Sequence, residues 1–387
     1  SDNITWSGTF TPSTNTEDST NSLSLATSYT DVTGNNGPAA TTANYEVETL
    51  APTVDSFTLS DTALKIGDTA TVQLVFSEAV IGFNSAADIT VANLDNGASS
   101  GTLSTMTSSD NITWSGTFTP TTNTEDANNT LSLGTNYTDL AGNNGSAETT
   151  ANYEVETLAP TVSSIAITSA SGVQNSLLNA GDVVSVTATF SETVSVDTAS
   201  GNPTITLVVG SNNRTATYAS GSGSTDLVFR YTIQSTGTSG ENDSNGISIG
   251  ANALALNSGT IRDPAGNNGT LTHSAVSDNS GYKVDTTPPT VDSFTLSDTE
   301  LKIGDTATVV LGFSEAVISF SNADITVPNL DNGAGSGTLS TMTSGDDITW
   351  AGTFTPATNT EDATNTLSLG TSYTDLAGNN GSAATTA

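Results

Sequence analysis

The chain has 387 residues, of which 40 are acidic and six basic, and its formal net charge at pH 7 is -34. This charge excludes nucleic acid as a partner, because phosphate binding needs clustered lysine and arginine. Cysteine is absent, which excludes disulfides and thiolate chemistry. No apolar run approaches membrane-spanning length, so we expect no direct membrane insertion.

One phrase recurs at a domain-sized interval. Ser-Asp-Asn-Ile-Thr-Trp-Ser-Gly-Thr-Phe surrounds Trp6 and Trp114, at an offset of 114 − 6 = 108 residues, and a related phrase surrounds Trp350. A repeat of this length is a whole domain and not a solenoid turn. We interpret the chain as an excerpt from a longer tandem array. Its predicted parts are the C-terminal part of one domain (1–48), a complete domain (49–156), a longer, divergent domain (157–285) and a domain lacking its last strand (286–387).

Within 49–156, apolar and polar side chains alternate between turn signals. This pattern predicts seven strands, at 53–60, 69–76, 88–92, 101–106, 112–119, 130–137 and 149–155. Alternation with a period of two marks strands with one buried and one solvated face, and no segment has helical periodicity. We therefore predict an all-β fold, a tandem array of seven-stranded immunoglobulin-like β-sandwich domains.

Two finer expectations follow from the same pattern. Trp114 lies on an alternating apolar face, which favours a place at the centre of the core over a sugar-stacking surface. The divergent domain 157–285 keeps the strand plan, and its added length, including 237–245, is predicted to form solvated loops.

Three junctions share one pattern: an alternating run, an acid, a short Thr/Pro stretch and a new alternating run. They lie at 45–54, 153–162 and 282–291. Such a pattern is typical of a strand that ends one domain and a strand that begins the next. The proline stiffens the linker, because its ring fixes φ.

Acids from three places in the sequence are predicted to meet at each junction. In the up-and-down order of a sandwich, the loops after the second and sixth strands return to the pole where the junction acid arrives. The converging sets are Glu48, Glu78 and Asp139; Glu156, Glu192 and Asp263; and Asp285, Glu315 and Asp375. The alternative is that these acids are solvated turn residues.

Calcium is the cation that these sets favour. Converging carboxylates repel unless they are protonated or bridged by a cation. Calcium takes six to eight hard oxygen ligands, which the asparagines and carbonyls of the Gly-Asn-Asn-Gly loops would complete. Zinc and copper prefer histidine or cysteine, and the chain has one histidine and no cysteine. Acids at 125–126, 241–243 and 361–362 face the next domain and are candidates for further ligands.

Several motifs carry a family resemblance that covers essentially the whole chain. Phe-Ser-Glu-Ala-Val at 76–80, Asp-Leu-Ala-Gly-Asn-Asn-Gly at 139–145 and Asp-Thr-Thr-Pro-Pro-Thr-Val at 285–291 resemble bacterial immunoglobulin-like repeats of large surface adhesins, including RTX-type biofilm adhesins. The resemblance implies an extracellular, cell-surface extender region rigidified by calcium, with neighbouring repeats as partners. Two junctions depart from the commoner Asp-Thr-Thr-Ala-Pro, since they carry glutamate at Glu48 and Glu156.

Other functions compete with this interpretation. We expect no enzyme, because His273 has no evident nucleophile partner, and because carboxylate pairs that recur in every domain do not suit a glycosidase site. A ligand- or glycan-binding module is the alternative, centred on 157–285 with Tyr218, Arg230 and Tyr231 as candidates. In a variant of the extender hypothesis, copies of the chain polymerise into a surface filament.

Overall fold

The structure, a computed structural model, describes residues 3–92, 94, 97–235, 241–330 and 333–386. It divides into two compact units, Ser1–Ala159 with Ala265–Asn267, and Pro160–Pro264 with Asn268–Ala387. Among the described residues, helix is limited to α1 (Ser85–Asp88) and a 3₁₀ turn at Asn322–Asp324. The prediction of an all-β fold is confirmed.

The first unit is built from short strands. Its strands are β1 (Glu17–Asn21), β2 (Ser24–Leu25), β3 (Ala40–Thr41), β4 (Tyr45–Glu48), β5 (Val54–Leu59), β6 (Ala63–Lys65), β7 (Ala70–Phe76), β8 (Ile89–Val91), β9 (Gly101–Leu103), β10 (Thr113–Pro120), β11 (Glu125–Asn129), β12 (Leu131–Leu133), β13 (Glu148–Thr149) and β14 (Tyr153–Glu156). One sheet has the order β5-β7-β10-β9, and two others have the orders β11-β14-β6 and β13-β12-β8.

The seven-strand count for 49–156 is not confirmed. The structure adds β6 and β11, and it divides the predicted strand 149–155 into β13 and β14. The sequence of β11, Glu-Asp-Ala-Asn-Asn, lacks an apolar alternation, so the pattern gave no signal. This strand forms because it pairs with β14, which also pairs with β6 in parallel.

The core of this repeat lies between its sheets. Phe76, Phe118, Tyr137 and Tyr153 are its fully buried aromatic residues. Trp114 is half-buried and packs edge-on against Phe83, with ring centroids 4.8 Å apart. The tryptophan therefore lies at the margin of the core and not at its centre, and its counterpart Trp6 is 84% exposed.

The second unit carries two successive sandwiches. Its strands are β15 (Val162–Ala170), β16 (Leu177–Leu178), β17 (Val183–Asp197), β18 (Thr204–Val209), β19 (Asn212–Ser220), β20 (Ser224–Thr232), β21 (Ser248–Ala255), β22 (Thr260–Arg262), β23 (Lys283–Val284), β24 (Val291–Leu296), β25 (Ala307–Phe313), β26 (Val317–Ile318), β27 (Ile325–Thr326), β28 (Gly337–Leu339), β29 (Thr343–Ser344), β30 (Thr349–Pro356), β31 (Ser368–Leu369), β32 (Thr374–Asp375) and β33 (Ala384–Thr385). The main sheets have the orders β15-β17-β20-β19-β18-β21 and β24-β25-β30-β28.

Part of the predicted solvated loop 237–245 is buried. Residues 237–240 lie outside the described residues, but Glu241 is fully buried and Asp243 is 4% exposed. The carboxylate of Glu241 accepts hydrogen bonds from the Arg214 guanidinium, the Tyr231 hydroxyl and the Gln234 amide. Burial of this acid is tolerated because it is paired and hydrogen-bonded, so the solvated-loop prediction was wrong for these two acids.

A tyrosine and a glycine form one contact in each of the matching repeats. The Tyr137 ring lies over Gly145, where an added Cβ would fall 2.0 Å from a ring carbon, and Tyr373 lies over Gly381 at the same distance. Each hydroxyl donates a 2.7 Å hydrogen bond to the carbonyl of the next residue, Ser146 or Ser382. Only glycine leaves room for the buried ring.

Alanine at this glycine should therefore destabilise the repeat. We expect Gly145→Ala or Gly381→Ala to lower the free energy of unfolding by about 1–3 kcal/mol, the usual range for overpacking. Gly250→Ala is the control, because an added Cβ there meets no atom within 4 Å. Urea titration of the three variants measures the difference, and equal losses in all three would contradict the packing argument.

Candidate metal centre

The loop that follows Tyr373 is organised by a buried carboxylate. Asp375 is fully buried. Its Oδ1 accepts hydrogen bonds from the Ala377 amide at 2.8 Å and the Asn379 amide at 2.9 Å, and its Oδ2 accepts one from Asn379 Nδ2 at 2.8 Å. Asp and Asn support such turns because their short side chains reach the local backbone. The loop therefore holds Asp375 in one orientation.

The same asparagine reaches the junction. Asn379 Nδ2 also donates to the backbone carbonyl of Asp285 at 2.9 Å. Asp285 directly follows β23, and its Oδ1 accepts a 3.0 Å hydrogen bond from the Thr287 amide. The junction acid is thus fixed on both sides, by the linker that follows it and by the loop of the next repeat.

Glu315 completes the predicted group. It lies between β25 and β26, and β26 pairs with β32 so that Val317 is opposite Asp375. One carboxylate oxygen from each of Asp285, Glu315 and Asp375 lies within 4.8 Å of the other two. The structure therefore brings these three predicted residues together, from segments about 30 to 90 residues apart in the sequence.

The electrostatics of this group favour protonation or a cation. Burial, together with the charges of Asp285 and Asp375, raises the pKa of Glu315 to about 7. Burial and the charge of Asp375 also raise the pKa of Asp285. Each negative charge makes the others less favourable. A divalent cation would relieve this cost, and an all-oxygen donor set suits calcium.

The first junction has the same parts in a looser arrangement. Burial and the charges of Asp139, Glu48 and Glu17 raise the pKa of Glu78. Asn143 Nδ2 donates to the Glu48 carbonyl at 3.3 Å and to Asp139 at 2.7 Å. Among the described residues, the carboxylates of Asp285, Glu315 and Asp375 form the one group within 4.8 Å. Those of Glu48, Glu78 and Asp139 do not come equally close to one another.

The middle set is divided between the two compact units, so its members are placed singly. Glu156 ends β14, and its carboxylate accepts a 3.0 Å hydrogen bond from the Leu158 amide. Asp263 is 2% exposed. Glu192 lies inside β17 and not in the predicted loop, because the strand continues past Phe190 to pair with β22 at Ser195.

Glu17 escaped the sequence analysis, whereas Glu125 was among its candidates for further ligands. Glu17 lies opposite Glu48 in the β1–β4 pair, as Glu125 lies opposite Glu156, so each of these junctions holds an extra carboxylate. The sequence offset of 108 residues between Glu17 and Glu125 could have revealed it. The asparagine of each loop was expected to ligate a cation through its oxygen, whereas the structure uses the Asn379 amide group to hold the Asp285 carbonyl.

The residues considered for other functions have structural partners. The Tyr218 hydroxyl accepts a hydrogen bond from the Ser222 amide at 2.8 Å, and Tyr231 donates to buried Glu241. Arg230 is exposed on β20. The Nε2 atom of His273 accepts a 2.8 Å hydrogen bond from the Ala253 amide. The Tyr218 ring also packs edge-on against Phe229, with ring centroids 5.9 Å apart.

Comparison with known proteins identifies the repeats. The family model described as a bacterial Ig-like domain matches residues 1–47, 48–155 and 285–387. The chain belongs to the bacterial Ig-like domain family. The bacterial Ig-like fold agrees with the observed sandwiches, and the resemblance seen in the junction motifs is confirmed. No curated protein matches the sequence.

Solved structures of repeated domains are distantly similar to this bacterial Ig-like chain. The Escherichia coli adhesin FdeC is 12% identical, with 86% of this chain and 98% of that chain covered and a TM-score of 0.29. The N-terminal eight Ig domains of the Down syndrome cell adhesion molecule are 9% identical, with 90% and 38% covered and a TM-score of 0.23. The S-layer protein SbsC is 12% identical, with 87% and 54% covered and a TM-score of 0.20. Among the described residues, no helix is long and apolar enough to cross a membrane.

The raised pKa of Glu315 predicts a pH-dependent stability. The folded pKa of about 7 exceeds the ordinary value of 4.5, so the folded chain holds this proton more tightly than the unfolded chain does. The stabilisation is fully present below pH 4.5 and is lost as the pH rises through about 7. With a chelator present, the melting temperature should fall as the pH rises from 4.5 to about 7. The fall should be smaller in Glu315→Gln, which lacks the titrating carboxyl group.

Calorimetry at a series of pH values measures this effect. The control is Glu300→Gln, which removes an exposed acid from the same repeat. Parallel pH profiles for wild type and Glu315→Gln would contradict the coupling among the three carboxylates.

The bridging asparagine should matter more than its neighbour. Asn379→Ala removes hydrogen bonds to the Asp285 carbonyl and to Asp375, and it should cost about 1–3 kcal/mol because it leaves these acceptors without a partner. Asn380→Ala, at an exposed position, should cost under about 0.5 kcal/mol. Chemical denaturation compares the two variants, and a loss in Asn380→Ala as large as that in Asn379→Ala would exclude the bridging role.

Proposed function

We propose that this chain is an extracellular extender region of a bacterial surface adhesin, rigidified by calcium at its domain junctions. The observation that carries the proposal is the close grouping of Asp285, Glu315 and Asp375. Asp285 precedes the Pro288-Pro289 linker, and the other two acids follow it. A cation held by all three would clamp the linker.

The charges at the site support bound calcium over three ionised carboxylates with no cation between them. Asp375 keeps Oδ2 acceptor capacity beyond its bond to Asn379, since each carboxylate oxygen has two lone pairs. Glu315 is half-buried beside two other acids, which raises the cost of leaving all three ionised and unbridged. Water and backbone carbonyls would supply the remaining ligands, as calcium accepts six to eight oxygens.

The same function extends to the other junctions. Burial raises the pKa of Glu78, and the nearby charges of Asp139, Glu48 and Glu17 raise it further. Glu156, Glu192 and Asp263 form the corresponding set in the sequence. Repetition along the chain suits a spacer, in which each junction limits bending, better than a single recognition site.

Membership of the bacterial Ig-like domain family supports a cell-surface location. The proposed function is structural and not enzymatic. The partners of each repeat are the neighbouring repeats of the same polypeptide. The hydroxyl groups of Tyr218 and Tyr231 form hydrogen bonds within the fold, so a glycan would have to replace these bonds to use them. In this proposal the chain acts as a spacer that extends the adhesin away from the cell surface.

Calcium should stabilise the chain by mass action. We expect the melting temperature to rise with calcium, corresponding to about 2.7 kcal/mol when free calcium is ~100 times Kd. The double variant Asp285→Asn, Glu315→Gln should lose part of this gain, whereas Glu300→Gln, at an exposed position in the same repeat, should retain it. Small-angle scattering should show reduced flexibility when calcium is added. A melting temperature and scattering profile that calcium leaves unchanged would exclude the clamp.

A further inference from the structure

The divergent repeat 157–285 carries an insertion beside its junction strand. Three residues, 60–62, connect β5 to β6 in the repeat 49–156, whereas six residues, 171–176, connect β15 to β16. The segment 171–176, here called the inserted turn, leads directly into β16, which pairs in parallel with β23. Asp285 directly follows β23. The insertion therefore lies where the linker to the next repeat departs.

The inserted turn ends in a tight hairpin with an unusual backbone. The amides of Gln174 and Leu177 each donate to the carbonyl of the other residue, at 2.9 and 2.7 Å. Asn175 and Ser176, which lie between them, have left-handed φ values of 52° and 65°. Two successive left-handed residues are typical of a type I′ turn, which suits asparagine but strains serine. Such strain persists where the surroundings fix the conformation, and it points to a function for the turn.

The base of the inserted turn is tied to the junction strand. The Lys283 amide donates to the Ser176 carbonyl at 3.0 Å, and the Asp285 amide donates to the Leu178 carbonyl at 2.9 Å. Leu178 lies opposite Val284 in the β16–β23 pair, and the two side chains are 0% and 2% exposed. The turn is thus anchored on the strand that delivers the chain to the linker.

The tip of the inserted turn contacts the next repeat. Asn175 Nδ2 donates a 2.9 Å hydrogen bond to the backbone carbonyl of Leu376. The side-chain amide of Gln174 lies against Gly378, with its Nε2 atom 2.5 Å from the position that a Cβ would take. Because Gly378 has a φ of +89°, glycine suits both this backbone and so close an approach. Segments 201 residues apart in the sequence are joined in this way.

The loop that receives the turn has a counterpart that is also contacted. Residues 263–269 repeat the sequence of 375–381 except at the second position. Within the first compact unit, the Ile66 amide donates to Asn267 Oδ1 at 2.9 Å, and a Cβ on Gly266 would lie 3.9 Å from Lys65 Cδ. Two different elements therefore meet the same glycine position, which marks this loop as a docking surface.

We propose that the inserted turn is a brace that holds 157–285 and 286–387 in one orientation when no cation is bound. A junction with one point of contact swings about that point. Here the linker and the bond from Asn379 to the Asp285 carbonyl form the first point, and the brace adds a second from another segment of the chain. The brace uses amides, a carbonyl and a glycine but no carboxylate, so it is independent of the proposed calcium clamp.

The brace should bias the orientation of the two repeats without locking it. Gln174 and Asn175 remain exposed, and one ordinary hydrogen bond changes an equilibrium by roughly fivefold. Loss of the brace should therefore raise the population of other orientations by about that factor. The change should appear as a broader distribution of distances between the repeats, with little effect on the melting temperature.

Spin labels on the two repeats measure this distribution, because the chain has no cysteine of its own. Thr217→Cys on β19 and Thr353→Cys on β30 place one label on each repeat, at exposed positions. Distances between the labels are recorded by double electron–electron resonance, first with a chelator and then with calcium. We expect a narrow distribution with the chelator when the brace is intact.

The brace variant combines Gln174→Ala with Asn175→Gly in this labelled chain. Glycine accepts the left-handed conformation of Asn175, so the turn itself should persist. The matched control is Asn359→Gly, at an exposed asparagine of the last repeat with a φ of 59°. With the chelator, outlying distances should be roughly fivefold more populated in the brace variant than in the control.

Equal distributions for the brace variant and the control with the chelator would overturn the proposal. A brace variant that is broadened with the chelator and narrows with calcium would support both the brace and the calcium clamp. A brace variant that stays broad with calcium would support the brace while counting against the clamp, so failure of one mechanism is distinguished from failure of the other.

Discussion

A side-chain amide at each junction ties a repeat to the strand that precedes it. Asn143, Asn267 and Asn379 donate to the backbone carbonyls of Glu48, Glu156 and Asp285, at 3.3, 3.0 and 2.9 Å. Asn143 and Asn379 are themselves held by the loop aspartates Asp139 and Asp375. The junction geometry therefore depends on the loop aspartate, Asp139 or Asp375, which also holds its own loop in shape through hydrogen bonds.

This constraint determines what the acids can do. Asp375 uses its Oδ1 for two backbone amides, so it approaches the other acids through its remaining acceptor capacity. Asp285 likewise gives one oxygen to the linker. Glu315 lies beside both, and burial together with the charges of Asp285 and Asp375 raises its pKa to about 7. The acids that shape these turns, as the alternative interpretation expects, are therefore the same acids that the proposed cation would need.

Sequence reasoning found the elements with clear alternation and the junction acids. It predicted a strand at 69–76, where the structure has β7 (Ala70–Phe76), and it grouped Asp285, Glu315 and Asp375, which the structure brings together. It missed β6 because three residues are too few for a periodic signal, and β11 because its five residues lack an apolar alternation. It misplaced Glu192, because β22 supplies a long-range partner that extends β17. Local pattern cannot reveal a strand that exists through tertiary pairing.

The strand that closes each core also carries the junction acid. Val47, Val155 and Val284 are 8%, 0% and 2% exposed, and each directly precedes Glu48, Glu156 or Asp285. Because successive residues of a strand point to opposite faces, the valine enters the preceding core while the acid turns away from it. Any ligand of the acid therefore stabilises the strand that completes that core. The connection between two repeats and the folding of the preceding repeat therefore depend on the same strand and its junction acid.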